Sequence, residues 1–236
     1  MIGAFRLLLL PGYVLLAHLA GARQSPTLAV AALADLALLV LIEGLVARRP
    51  AAWLAAAAVA AVLVPLAGSS WALTPLLLVP PLFTALIAAG FLRSLRPGRV
   101  PLIRKVVAAL YGTPPDDLSP AHRAYTRHLT LGWGLMLSLL TAINLTLALV
   151  AVPDGLLARA GVPAPFTVTA EQWSLVANVA NYGLLGVFAL VEYQVRRVVF
   201  PVRPYRNAAE FVRRMAALGP AFWRDFFRSD DVGAAR

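Results

Sequence analysis

The sequence predicts an all-α protein, a polytopic membrane helical bundle of about six transmembrane helices with both termini cytoplasmic. Three observations lead there. Of 236 residues 60% are apolar, with a mean hydropathy of +0.76, against roughly 45–50% apolar in an average soluble domain. The apolar residues come in blocks of about twenty, the length a helix needs to cross a hydrocarbon core of about 30 Å. Cations and apolar blocks alternate, so the net charge of +10 does not describe a water-soluble nucleic-acid-binding fold, and no nucleic-acid partner is expected.

The spans are read near residues 5–22, 27–46, 51–67, 73–92, 129–152 and 173–195. The first contains Pro11-Gly12 and ends near Ala20-Gly21-Ala22, which also fits a cleaved signal peptide. Either reading leaves the same topology for the rest. The third, AAWLAAAAVAAVLVPLAG, is short and alanine-rich. The fourth carries Pro75, Pro80 and Pro81, tolerable in a bundle where neighbouring groups satisfy the freed carbonyls. Residues 1–200 are taken as the membrane bundle and 201–236 as a basic cytoplasmic tail.

Orientation follows from where Lys and Arg lie. With the N-terminus inside, the inner segments hold Arg6, then Arg48 and Arg49, then seven cations from Arg93 to Arg127, then nine from Arg196 onward. That is 19 of 21, leaving Arg23 and Arg159 outside. The expectation is a multi-pass membrane protein with both termini on the cytoplasmic side.

Two cytoplasmic segments have amphipathic patterns. In PLIRKVVAALYG, Pro101 suits a first helical turn, Gly112 with Pro114-Pro115 suits a stop, and Leu102, Val106 and Leu110 share a face. In the tail, Asn207 with Glu210 resembles a capping box. Phe211, Met215, Leu218 and Phe222 follow at helical spacing, with a break at Gly219-Pro220 and Arg213, Arg214, Arg224 and Arg228 on the flank. Both are expected to lie in the membrane interface. Arg93, Arg96, Arg99, Arg104, Lys105, Arg196, Arg197, Arg213 and Arg214 are the candidate contacts for anionic inner-leaflet lipids or an acidic partner, at about 1 kcal/mol per cation near the surface.

Polar groups within the spans need a reason, because burying one in lipid costs roughly 2.5–3.5 kcal/mol on insertion scales. Asp35 lies inside the second span, and His18 is a conceivable partner for it. Glu43 and Glu192 lie near cytoplasmic ends, with Arg48 and Arg196 in reach. Asn178, Asn181 and Glu192 fall within about 60° on the sixth helix, at 100° per residue, and Tyr182 is adjacent. With Asn144 they form a candidate intramembrane polar site, either interhelical glue or the lining of a route.

Chemistry is sparse. There is no cysteine, no phosphate-binding or dinucleotide-binding glycine motif and no H-E-x-x-H or G-x-S-x-G. No catalytic residue, metal site or cofactor is expected.

Three segments together carry a resemblance: GFLRSLRPGRVPLI (90–103), YTRHLTLGWGLM (125–136) and QWSLVANVANYGLLGVFALVEYQVRRVVFP (172–201). They resemble an uncharacterised family of bacterial inner-membrane proteins whose genes sit in clusters for aryl-polyene or xanthomonadin-type pigment lipids. The likeness covers roughly 85–201. This chain has Val100 where that pattern has an acidic residue. Some members are labelled ketosynthase, but a cysteine nucleophile of that kind is absent here. The resemblance implies an accessory protein for synthesis or export of a polyene-type lipid, docking acidic acyl-carrier or synthase proteins. A small lipid or solute transporter is the alternative, with Asp35, Asn178, Asn181 and Glu192 lining its path.

Overall fold

The computed structural model describes residues 2–169, 172–173, 175–176, 181–201 and 204–226. It is almost entirely helical: α1 (Ile2–Arg23), α2 (Pro26–Val46), α3 (Pro50–Leu66), α4 (Thr74–Arg93), α5 (Leu102–Tyr111), α6 (Pro120–Val150), α7 (Leu156–Arg159), α8 (Asn181–Val199), α9 (Ala208–Ala217) and α10 (Gly219–Asp225). Among the described residues the one departure from all-α is a two-residue parallel pair, β1 (Ala151–Val152) with β2 (Val168–Thr169). Chain contacts divide the protein into two compact units, Met1–Pro80 with Asn144–Trp173 and Pro81–Ile143 with Ser174–Arg236.

Among the described residues, α2, α4 and α6 are long and apolar enough to cross a membrane, and Leu8–Arg23 and α3 are shorter apolar helices. Their outward faces agree with that environment. On α6, Leu131, Leu135 and Leu139 form an exposed stripe, while Thr126, Thr130 and Asn144 are buried. A water-soluble helix has the reverse pattern.

In the first unit, α1 and α2 make an antiparallel hairpin. Ala20, Ala29 and Ala32 are fully buried, and small side chains of this kind let backbones approach closely in an apolar medium. Ser25 accepts from the Leu28 N–H and Pro26 occupies the first turn, so the α2 start is capped in the usual way. A β-carbon on Gly44 would lie 2.6 Å from the Ala52 β-carbon, which makes glycine necessary for the α2–α3 approach. Beyond it, Thr74 donates to the Asp154 carbonyl and Asp154 pairs with Arg159.

In the second unit α6 begins at Pro120, nine residues before the expected span. Its 31 residues make a rod of about 46 Å at 1.5 Å per residue, longer than a hydrocarbon core. The first turns, with Arg123 and Arg127, therefore extend past the apolar run that starts at Leu129. The sequence reading missed this start because Ser119 supplies it locally: its hydroxyl accepts from the His122 N–H, an N-cap of ordinary type. Glycines fix the packing of α6. A β-carbon on Gly134 would lie 2.5 Å from Leu92 Cδ2, and one on Gly132 would lie 3.2 Å from Phe188.

The loop helix and the tail correct an expectation. Helix α5 spans Leu102–Tyr111 and stops at Gly112 with φ +66°, as its sequence suggests. Its apolar face, however, is not left for the membrane interface. Leu102, Val106 and Leu110 are buried with Phe226, and Phe211, Met215, Phe222 and Phe91 pack around them. The two amphipathic segments cover each other, since a face buried against another helix is no longer open to lipid. Periodicity reveals an amphipathic face but not its partner.

Candidate functional site

Two features of the second unit have functional interest: a polar hub where α6, α8 and the tail meet, and the arginine-rich surface around it.

The hub grows from Glu192, one turn before Arg196 on α8. Arg196 donates to Glu192 Oε2 at 2.9 Å, with side chains 14% and 10% exposed. Tyr125 Oη, from α6, donates to Glu192 Oε1 at 3.1 Å. The Arg196 guanidinium lies 4.6 Å from the Phe211 ring centre, 5.6 Å from Tyr205 and 5.9 Å from Tyr193. Phe211 and Tyr205 belong to the tail, so one cation on α8 organises it through its charge and its flat face. Beside it His122 stacks on Phe200 at 4.0 Å, and its ring nitrogens face Ser119 Oγ at 2.8 Å and Tyr111 Oη at 3.3 Å.

What can this hub do? The enclosed space among His122, Tyr125, Arg196 and Phe200 is about 30 Å³. That suits a water molecule, not a substrate. Ser119 and His122 resemble a nucleophile and its base, but the serine hydroxyl is committed to capping α6. No group of three or more His, Cys, Asp or Glu side chains among the described residues is placed to hold a metal ion. The geometry is that of an anchoring junction.

The candidate intramembrane residues fall in both units, Asp35 and Asn144 in the first and Asn181, Tyr182 and Glu192 in the second. Glu192 is drawn into the hub. Asn181 lies eleven residues before it on α8, about 16 Å along the axis, and Tyr182 is 71% exposed. Asn144 is buried on α6, and Asn178 lies outside the described residues. Asp35 faces the backbone of α1: a β-carbon on Gly12 would lie 3.6 Å from its Oδ1. Its expected companion His18 is exposed and forms no ion pair with it. The hairpin explains this. Ala20 meets Ala29 in a shared cluster, so residues whose numbers sum to about 49 are level. Asp35 therefore sits opposite Tyr13–Val14, a turn away from His18.

The candidate cations also separate. Arg93, Arg96, Arg197, Arg213 and Arg214 are exposed, and Arg99 and Arg104 are half-buried. Lys105 is buried at 9%, on the tail-facing side of α5, and Arg196 is enclosed in the hub. The box at Asn207 forms, with the Glu210 N–H donating to Asn207 Oδ1 and the Arg206 N–H donating to Glu210 Oε2. Arg214 donates to Glu210 Oε1 through Nε and Nη2. These donors, the Arg206 N–H foremost, hold the Glu210 carboxyl below its ordinary pKa. Arg206 and Arg213 line an open groove of about 690 Å³ with Tyr205, Glu210 and Arg214. Neither guanidinium forms an ion pair among the described residues, although the charge of Arg206 acts on Glu210.

Sequence reasoning missed several residues that build the site. Ser94 accepts from the Leu102 N–H and Thr130 from the Ile103 N–H, which satisfies the first turn of α5 after Pro101. Tyr125, Thr126 and Arg127 form a contiguous run, and a polar triplet just before a span was the available signal. The three segments that carry the resemblance converge here: Phe91, Trp133 and Phe188 form a ring series at 6.4 and 4.8 Å. No protein-family model, curated protein or solved structure matches this chain.

Proposed function

We propose that this is a multi-pass protein of the bacterial inner membrane, with six spans and cytoplasmic termini, that holds acidic carrier or synthase proteins close to the bilayer. The observation that carries the reading is the tail groove, in which the Arg206 and Arg213 guanidinium groups stand exposed outside any ion pair. Such groups, on and just before a clamped helix, steer and orient an acidic partner. The cation count by loop supports the orientation. The lipid class, a polyene type, comes from the resemblance alone. The transport alternative draws no support from Glu192, whose oxygens are occupied by Tyr125 and Arg196.

The test is binding of purified acyl-carrier protein from the same host to the full-length protein in nanodiscs. Association should weaken steeply as ionic strength rises, because exposed charge pairs are screened within about 10 Å at 0.1 M salt. The pair Arg206→Glu with Arg213→Glu should lower affinity about tenfold or more, the scale of two charge reversals at a partly exposed interface. Binding that is indifferent to salt and to the reversals would remove this function.

A further inference from the structure

We propose that Arg104, Arg123 and Arg127 form a discrete site for the phosphate of an anionic phospholipid headgroup, distinct from the tail groove. Arg104 comes from α5, and the other two lie four residues apart on one face of the first turns of α6.

Their setting differs from that of the ion-paired arginines. Arg159, Arg196 and Arg214 each have a carboxylate: Asp154, Glu192 and Glu210. The Arg104 cluster has none within ion-pair reach among the described residues. Arg104 Nη2 reaches only the Arg123 carbonyl, at 3.5 Å; its buried Nε has no hydrogen-bond partner, which is also true of Arg159 and Arg196, but those two have a carboxylate on the same guanidinium and Arg104 has not. Arg127 Nη1 donates to the Leu95 carbonyl at 3.2 Å, which fixes that side chain while leaving its other donors open. Burial lowers the Arg104 pKa; Asp116 opposes this, and Arg123 and Arg127 add to it. Asp116 is exposed, so three cations face one acid and a charge of two is left over. Guanidinium groups remain protonated under such conditions, so the repulsion is relieved by an anion with several acceptor oxygens.

Position selects the source of that anion. Arg127 lies two residues and Arg123 six residues before Leu129, where the apolar run begins. At 1.5 Å per residue these are about 3 and 9 Å from the hydrocarbon boundary; the headgroup region is about 5–7.5 Å deep on each side, so Arg127 lies within it and Arg123 just beyond it, close enough for its long side chain to reach back. A phosphodiester is held at that depth by every anionic phospholipid. The inference rests on the reading that α6 crosses a membrane from residue 129 onward.

The experiment is native mass spectrometry of the full-length protein, with phosphatidylglycerol or phosphatidylcholine added to the detergent, and inorganic phosphate as competitor. The expected result is one phosphatidylglycerol retained per chain and no comparable retention of phosphatidylcholine. Arg104→Gln and Arg123→Gln should each weaken it about tenfold, the scale of one charge-assisted hydrogen-bonded contact. Arg104→Lys, which keeps the charge and loses the planar fork, should fall between, and the exposed Arg23→Gln, remote in sequence from the cluster, should change nothing. Equal retention of both lipids, or no effect of the Arg104 variants, overturns the site. Displacement by millimolar inorganic phosphate overturns the lipid as its ligand. Carbonate extraction of host membranes separates the two readings: release of the wild-type chain overturns the membrane assignment and the site with it, whereas retention with no lipid preference overturns the site alone.

Discussion

Arg196→Ala is expected to destabilise the second unit by about 3–5 kcal/mol, because it leaves the enclosed Glu192 carboxylate without its cation. The loss should be read as a lower melting temperature in detergent and as faster tryptic cleavage within the tail. Removing both partners isolates the cause. Arg196→Met with Glu192→Leu should be far milder than either single change, since no stranded charge remains and the apolar replacements fill similar volume. Tyr125→Phe, which removes one hydrogen bond to Glu192, should cost about 1 kcal/mol. A double variant as damaging as Arg196→Ala would mean that the arginine acts through its contacts with Phe211 and Tyr205, not through the ion pair.

Leu102→Ala is the second large effect. Leu102 is 2% exposed and lies in the cluster closed by Phe226. Truncating a buried leucine costs about 2–5 kcal/mol, from lost transfer energy and the cavity left behind. Part of this should appear as undocking of the tail, so trypsin should cut at Arg213 or Arg214 before the membrane helices lose their fold. Leu135→Ala, on the exposed stripe of α6, is the matched control and should leave tail protection unchanged.

Much of the fold was legible because apolar runs mark helix lengths. The helices α1 to α4 lie within about three residues of the apolar runs at 5–22, 27–46, 51–67 and 73–92, and of these α2 and α4 are long and apolar enough to cross a membrane. Local chemistry was legible for the same kind of reason. Gly112 and the Asn207–Glu210 pair act within one helical turn, and i,i+4 spacing gave Glu192–Arg196. Partners distant in sequence were not legible. Tyr125 meets Glu192 across 67 positions, and a face of Leu102, Val106 and Leu110 reads the same whether lipid or Phe222 covers it. For Asp35, the polar-residue argument gave the residue but not its surroundings, because the neighbour supplied by the hairpin is the backbone near Gly12, where there is no side chain to read.

The central claim is that α5 and the tail bury their apolar faces on each other, which clamps the tail and the arginines it carries. The most direct measurement uses the absence of native cysteine. Ala109 and Ala221, small residues that line one shallow groove between α5 and α10, are replaced together, Ala109→Cys with Ala221→Cys, and treated with a short bis-methanethiosulfonate crosslinker in native membranes. The structure predicts rapid intrachain crosslinking that Leu102→Ala slows. Two cysteines that do not crosslink, and that are both labelled by a lipid-soluble maleimide, would place the two helices separately in the bilayer interface and contradict the clamped tail.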